Sequence, residues 1–256
     1  MLQAHSLLWH YLWLAPHVLQ LGLVVYIWRR GLQKQFPIFF AYLIYEATEE
    51  FTLYYMDLSP NVSGQTFWYS FCGGLILEGA LIFALVGELF SGLVRPWAAV
   101  ASLGNRLISG AGAVLVLLAT LAAAYAPIDN PQNAIISRAH ILEQTMFIIQ
   151  CGLVLFLFLF ASYFRLAWNH RTQGIALGLA IVSCEHMASW AVMASGAMMD
   201  KRHLLDFLNL ATYHLCVLIW IYYFVTRPKV AGESTVPLPA HNLDVWNREL
   251  ERLLQQ

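Results

Sequence analysis

AHILEQTMFIIQCGLVLFLFLFASY, residues 139–163, is a run of 25 residues that carries one acidic side chain, Glu143, and no lysine or arginine. A helix that crosses a bilayer core needs about 20 mostly apolar residues. This run is long enough, so it predicts a membrane-spanning helix. Similar runs recur along the chain and predict an all-α, polytopic bundle of seven transmembrane helices, near 7–28, 36–57, 67–90, 107–126, 139–163, 174–199 and 204–225.

The composition of the chain supports the same fold class. Of its 256 residues, 59% are hydrophobic and 11% are charged, whereas a soluble domain has about 25% charged residues. We therefore expect an integral membrane protein whose main partner is the lipid bilayer, in a bacterial inner membrane or an equivalent membrane. Nothing in the composition indicates binding to nucleic acid.

The lysines and arginines predict the orientation of the bundle. Eleven of the fourteen lie in the first, third and fifth links and in the tail: Arg29, Arg30, Lys34, Arg95, Arg106, Arg165, Arg171, Arg227, Lys229, Arg248 and Arg252. Short cytoplasmic loops carry an excess of Lys and Arg. The pattern therefore predicts that the N-terminus lies outside and the C-terminus lies in the cytoplasm.

The chain divides into three predicted parts. Residues 1–226 form the seven-helix domain, 227–240 form a proline-containing linker, and 241–256 form a short amphipathic helix. Apolar residues of this last helix follow the spacing of a coiled-coil seam, at Leu243, Trp246, Leu250 and Leu253. A helix this short is marginal in water. We expect it to pack on the membrane surface, on its own bundle, on a second copy of the chain or on a cytoplasmic partner.

Three glutamates lie inside the second predicted span, in YLIYEATEEF, residues 42–51. A charged side chain at the centre of a spanning helix costs a few kcal/mol, so such residues normally face the interior of the bundle. The spacing of six residues predicts one inward helix face: Tyr42, Glu46, Glu49, Glu50, Leu53 and Asp57.

Other ionisable residues are predicted at a similar depth, at a rise of about 1.5 Å per residue. They are His17, Glu78, Glu185, His186 and His214. We expect a buried site for a ligand or for protons, built from Tyr42, Glu46, Glu49, Glu50, Glu78 and Glu185. Such close carboxylates must share protons or be compensated by histidine or by an external cation. The alternative is a structural role, in which these side chains only hydrogen-bond neighbouring helices.

A metal ion or a haem is the possible cofactor, with His17, Glu185, His186 and His214 as candidate ligands. The HExxH motif of zincins and the repeated Glu-x-x-His of di-iron bundles are absent from the sequence. Retinal is not expected, because its Schiff base needs a lysine inside a span. Lys34, Lys201 and Lys229 all lie in predicted links or in the tail.

Seven helices with short links, a buried polar pocket and a C-terminal amphipathic segment resemble, in layout, the membrane sensor modules that precede kinase or cyclase domains in bacterial signalling proteins. The resemblance implies a sensor. No effector domain follows the bundle here, so we expect signalling through a separate partner. The sequence thus favours a sensor or ligand-binding protein without catalysis of its own. The alternatives are a metal- or haem-binding redox protein and a proton or cation translocator.

Overall fold

The computed structural model describes residues 6–94, 98–125, 134–194, 202–226, 246–248 and 251–252. Within these ranges the chain is helical and contains no strand, so the all-α prediction is confirmed. The helices are α1 (Leu7–Arg29), α2 (Pro37–Leu58), α3 (Gly64–Leu93), α4 (Ala98–Tyr125), α5 (Ala134–Tyr163), α6 (His170–Ala194) and α7 (Arg202–Val225), with a 3-10 turn at Leu32–Lys34.

Five helices are long and apolar enough to cross a membrane, which supports an integral membrane protein: α1, α3, α5, the His170–Val192 part of α6 and the Leu204–Val225 part of α7. Helix α2 has 22 residues, but its middle holds Glu46, Glu49 and Glu50. Among the described side chains of α4, the apolar stretch is Gly112–Tyr125, which is shorter than a span. A count of seven spans therefore stays a prediction.

The predicted linker 227–240 lies outside the described residues, and so does most of the predicted C-terminal helix. Of that helix, residues 246–248 and 251–252 are described and are helical. The side chain of Trp246 is exposed.

The start of α2 is fixed by an acidic side chain from α3. Gly31 adopts a left-handed conformation, with φ of 69°, and turns the chain after α1. Pro37 then begins α2, where its missing N–H is not needed. Glu88 accepts hydrogen bonds from the next two backbone amides, those of Ile38 and Phe39, each at 3.0 Å. These bonds satisfy two of the N–H groups that the first turn of a helix leaves unpaired.

The helix contacts define a closed ring. In the described part of the chain, α1 packs on α2, α2 on α3, α3 on α5, α5 on α6, α6 on α7, and α7 back on α1. Helix α4 packs on α3 and α5. It therefore lies beside the ring of six helices and is not one of its members.

One end of the ring is filled by apolar side chains. We call it the apolar end, and it contains the C-terminal halves of α1, α3, α5 and α7 and the N-terminal halves of α2 and α6. Phe39 stacks on Phe224, with ring centroids 5.4 Å apart, and meets Trp220 edge-on at 5.5 Å. All three rings are buried. Packing of this kind leaves this end closed.

Candidate functional site

A central cavity of about 160 Å3 lies between the helices. Residues from α1, α2, α3, α5, α6 and α7 line it, so all six helices of the ring contribute to its wall. One water molecule needs only roughly 10–15 Å3 of such space. The central cavity therefore has room for several waters or for a small organic molecule.

Four carboxylates line the central cavity: Glu46 and Glu50 from α2, Glu78 from α3 and Glu143 from α5. The described lining includes no lysine and no arginine. His17 and His186 are its two histidines. The wall is therefore strongly acidic in composition.

Glu46 is the lining carboxylate that has a buried oxygen without a hydrogen-bond partner among the described residues. Glu46 as a whole is 9% exposed. Its Oε2 atom is buried and has no hydrogen-bond partner among the described residues. A buried carboxylate oxygen without a partner is costly. Glu46 is therefore poised to accept a hydrogen bond from a molecule in the central cavity.

Glu50 is held in place from the side of α1. Trp13 Nε1 donates to Glu50 Oε2 at 2.7 Å. The Trp13 ring meets Tyr54 edge-on at 5.3 Å, and Tyr54 Oη lies 3.0 Å from His10 Nδ1. This aromatic cluster fixes the orientation of one carboxylate in the wall.

A second network joins α1 to α2 and α7. Tyr213 Oη donates to Gln20 Oε1 at 2.9 Å, and Gln20 Nε2 donates to the Leu43 carbonyl at 3.0 Å. His17 Nδ1 lies 3.2 Å from the same Gln20 oxygen, and its ring stacks on Tyr213 at 5.1 Å. His17 and Gln20 are both buried. The bonds orient His17 and Tyr213 in the wall.

A third network lies where α6 meets α7. Ser189 Oγ donates to Glu185 Oε1 at 2.6 Å, and His186 Nδ1 lies 3.2 Å from Glu185 Oε2. With its amide nitrogen turned toward the carboxylate, Asn209 donates to both Glu185 oxygens. The His186 ring stacks on Phe147 of α5 at 3.7 Å. Glu185 is therefore engaged in contacts between helices.

The predicted ligand-site residues divide into two groups. Those in the wall of the central cavity are Tyr42, Glu46, Glu50 and Glu78, together with the predicted metal ligands His17 and His186. Glu49, Glu185 and His214 lie outside the lining. Glu49 rests on Gly74 of α3, where an added Cβ would overlap its carboxylate. The His214 ring lies 5.8 Å from that of Tyr11.

The predicted metal ligands do not converge. Within the described residues, no group of three or more His, Cys, Asp and Glu side chains is arranged to hold a metal ion. Glu185 is bonded to Ser189, and His214 is not in the wall that contains His17 and His186. The metal prediction for these four residues therefore gains no support.

Four residues of the wall with acidic, amide or hydroxyl side chains were not predicted as site residues: Glu143, Gln150, Asn209 and Tyr213. Glu143 is the one acidic residue of the run 139–163 and was not among the predicted site residues; α5 begins at Ala134, so Glu143 lies nine residues into the helix. Gln150 and Asn209 are neutral, and a search for ionisable groups passes over them. An amide side chain inside an apolar helix is the signal that could have found both.

Comparison with protein-family models, with curated proteins and with solved structures finds no match for this chain. A functional proposal therefore depends on the central cavity itself.

Proposed function

We propose that this chain is a seven-span membrane protein that binds a small ligand in the central cavity and acts as a sensor through a separate partner. The observation that carries the proposal is the cavity of about 160 Å3, which is walled by six helices and lined by Glu46. One buried carboxylate oxygen of Glu46 has no hydrogen-bond partner among the described residues. Pockets with a few convergent polar groups in a mostly apolar wall are typical of small-molecule sites.

The lengths of α2 and α4 support seven spans. The 22 residues of α2 extend about 33 Å, and the 28 residues of α4 extend about 42 Å. Both lengths exceed a hydrocarbon core of about 30 Å. Glu46 and Glu50 of α2 face the central cavity, so they need not contact lipid. With seven spans, the distribution of Lys and Arg places the N-terminus outside and the C-terminus in the cytoplasm.

The apolar end favours a binding protein over a translocator. A pathway for protons or cations needs polar groups or water on both sides of the central site. Here the next layer contains Phe39, Trp220 and Phe224, which pack ring against ring and are buried. Among the described residues, these packed rings place an apolar layer between the central cavity and this end of the ring.

The ring explains how binding could act at a distance. A molecule in the central cavity touches residues from six helices at once. If it binds one arrangement of these helices better than another, it shifts the population toward that arrangement. Small shifts of packed helices are a common form of such transitions. A partner that contacts the cytoplasmic side would then detect the ligand.

A cavity-filling variant tests the proposal. Leu210 lines the central cavity, whereas Leu208 of the same helix is 50% exposed. We expect Leu210→Phe to block the cavity and Leu208→Phe to leave it open. The measurement is the thermal unfolding of purified protein with a library of small cationic, neutral and anionic molecules. Ligand at 100 times its Kd stabilises a protein by about 2.7 kcal/mol.

The expected result is a compound that raises the Tm of the wild type and of Leu208→Phe but not of Leu210→Phe. If no compound raises the Tm, or if both variants respond like the wild type, the central cavity is not a ligand site and the proposal is wrong.

A further inference from the structure

The acidic residues in the wall of the central cavity restrict which ligands it can bind. Its described wall contains four carboxylates and neither lysine nor arginine. An anionic ligand would meet four acidic groups without a permanent positive charge to balance it. A ligand that carries a positive charge meets carboxyl groups from three helices, α2, α3 and α5, which can balance its charge when they ionise. In the interior of a bundle such attractions are much stronger than in water.

The hydrogen bonds that the carboxylates already make indicate where the positively charged group of a ligand would bind. Glu50 Oε2 already accepts from Trp13 at 2.7 Å, and Glu143 Oε2 lies 3.3 Å from His140 Nδ1. Glu46 differs, because its Oε2 has no partner in the described part of the chain although the residue is 91% buried. This oxygen needs a donor, and an ammonium group supplies three N–H donors and no acceptor.

The remainder of the wall suits the carbon part of such a ligand. Phe71, Phe147, Tyr213 and Trp220 contribute aromatic rings to the lining, and Leu75 contributes an apolar side chain. Aromatic rings attract ammonium groups through their faces and also pack against hydrocarbon. A small molecule with one cationic head and a short apolar body matches both kinds of surface.

A divalent metal ion fits the same wall less well. Metal binding needs several ligands that converge on one point at about 2.0–2.6 Å. Among the described residues no three His, Cys, Asp or Glu side chains meet that requirement. The carboxylates are instead distributed around a cavity of about 160 Å3. Separated carboxylates can still attract the charge of an organic cation, whose own volume fills the space between them.

Resting on the proposed ligand-binding function, we infer that the ligand is a small organic ammonium cation, whose charged head binds at Glu46 and whose apolar body lies against the aromatic residues of the central cavity.

Three probes with similar carbon skeletons and different charge test this inference: n-butylammonium, 1-butanol and butyrate. Each is added to the full-length protein in nanodiscs, and the Tm and the heat of binding are measured. We expect n-butylammonium to bind and to raise the Tm, and 1-butanol and butyrate to do neither. Glu46→Gln keeps the shape of the side chain and replaces the ionisable carboxyl group with an amide that cannot carry a negative charge. It should weaken n-butylammonium binding by about tenfold or more.

The matched control is Asp57→Asn, which removes an exposed carboxylate from the same helix and should leave binding unchanged. If Glu46→Gln does not fold, Glu78→Gln in the same wall takes its place. The inference is overturned if n-butylammonium does not bind to the wild type, or if it binds equally to the wild type and to the glutamine variant.

The two proposals can fail separately. If 1-butanol or butyrate raises the Tm in a way that Leu210→Phe abolishes, the central cavity is a ligand site but its ligand is not an ammonium cation. If no molecule of any charge shows a response that Leu210→Phe abolishes, the ligand-binding function itself is wrong.

Discussion

At the scale of single residues, the acidic side chains of this bundle have different tasks. Glu88 accepts hydrogen bonds from two backbone amides at the start of α2 and so stabilises the junction of α2 with α3. Glu185 accepts from Ser189 of its own helix and joins α6 to α7 through Asn209. Glu46 makes no such bond through its Oε2 atom. Glu46 is therefore a better candidate for ligand binding than Glu88 or Glu185, whose carboxylates already accept hydrogen bonds from the protein.

Removal of the Glu88 carboxylate should destabilise the bundle. Glu88→Ala leaves the amides of Ile38 and Phe39 without their acceptor, and a hydrogen bond to a charged group contributes about 1.5–3 kcal/mol. We expect the free energy of unfolding to fall by about 2 kcal/mol, measured by denaturant unfolding in detergent micelles. The control is Thr48→Ala, since Thr48 is exposed and, among the described residues, its hydroxyl donates to the Ile44 carbonyl of its own helix. Equal stability of the two variants would contradict the capping role.

The sequence could predict that acidic residues of α2 are buried, but not which of them face the central cavity. Neighbouring positions of a helix differ by about 100°, at 3.6 residues per turn. Glu49 and Glu50 can therefore contact different neighbours. Glu50 bonds to Trp13 of α1 and lines the cavity, whereas Glu49 lies against Gly74 of α3. That division depends on which helices flank α2, and a single sequence does not contain that information.

At the scale of helices, close contact between α6 and α7 depends on glycine. Trp220 of α7 lies directly over Gly178 of α6, and its Nε1 donates to the Ile175 carbonyl at 3.4 Å. A Cβ at position 178 would overlap the indole ring, with Cε2 at 2.7 Å. Trp220 is fully buried and also lines the central cavity. A change at Gly178 therefore affects both packing and the site.

Gly178→Ala should destabilise the protein, although alanine is the better helix former. Overpacking in a well-packed core costs about 1–3 kcal/mol. We expect the free energy of unfolding to fall by about this amount and the Tm to fall with it. The measurement is thermal unfolding followed by Trp fluorescence. Gly152→Ala is the matched control, because nothing lies within 4 Å of a Cβ at that position, and it should unfold like the wild type. If the two variants have the same Tm, the contact with Trp220 is not tight.

The positions of the helices along the chain were predictable because the bilayer sets their length. The predicted span near 7–28 corresponds to Leu7–Arg29, and the one near 204–225 corresponds to Arg202–Val225. Their order around the bundle was not predictable. A spanning helix is apolar toward lipid and also toward its neighbours, so its hydrophobic pattern does not distinguish a ring helix from α4.

At the scale of the whole molecule, the proposed orientation can be tested with single cysteines. Asn61, in the link between α2 and α3, and Trp246, near the C-terminus, are both exposed. We expect Asn61→Cys to react with a membrane-impermeant maleimide in spheroplasts, and Trp246→Cys to react only after lysis. The wild type, whose four cysteines lie in helices, gives the background. Reaction of Trp246→Cys in spheroplasts would show that the C-terminus is outside.

The ring closes between the first helix and the last. Tyr213 of α7 donates to Gln20 of α1, and Tyr26 of α1 donates to the Phe224 carbonyl at 3.4 Å. A chain leaves the ribosome from its N-terminus, so α1 to α6 are synthesised before α7. Tyr213 and Trp220 of α7 are therefore the last of these residues to join the wall of the central cavity. The wall of the central cavity is therefore incomplete on an unfinished chain. A prematurely terminated product would present an open crescent of helices to the quality-control machinery of the cell, without the α7 side of the central cavity.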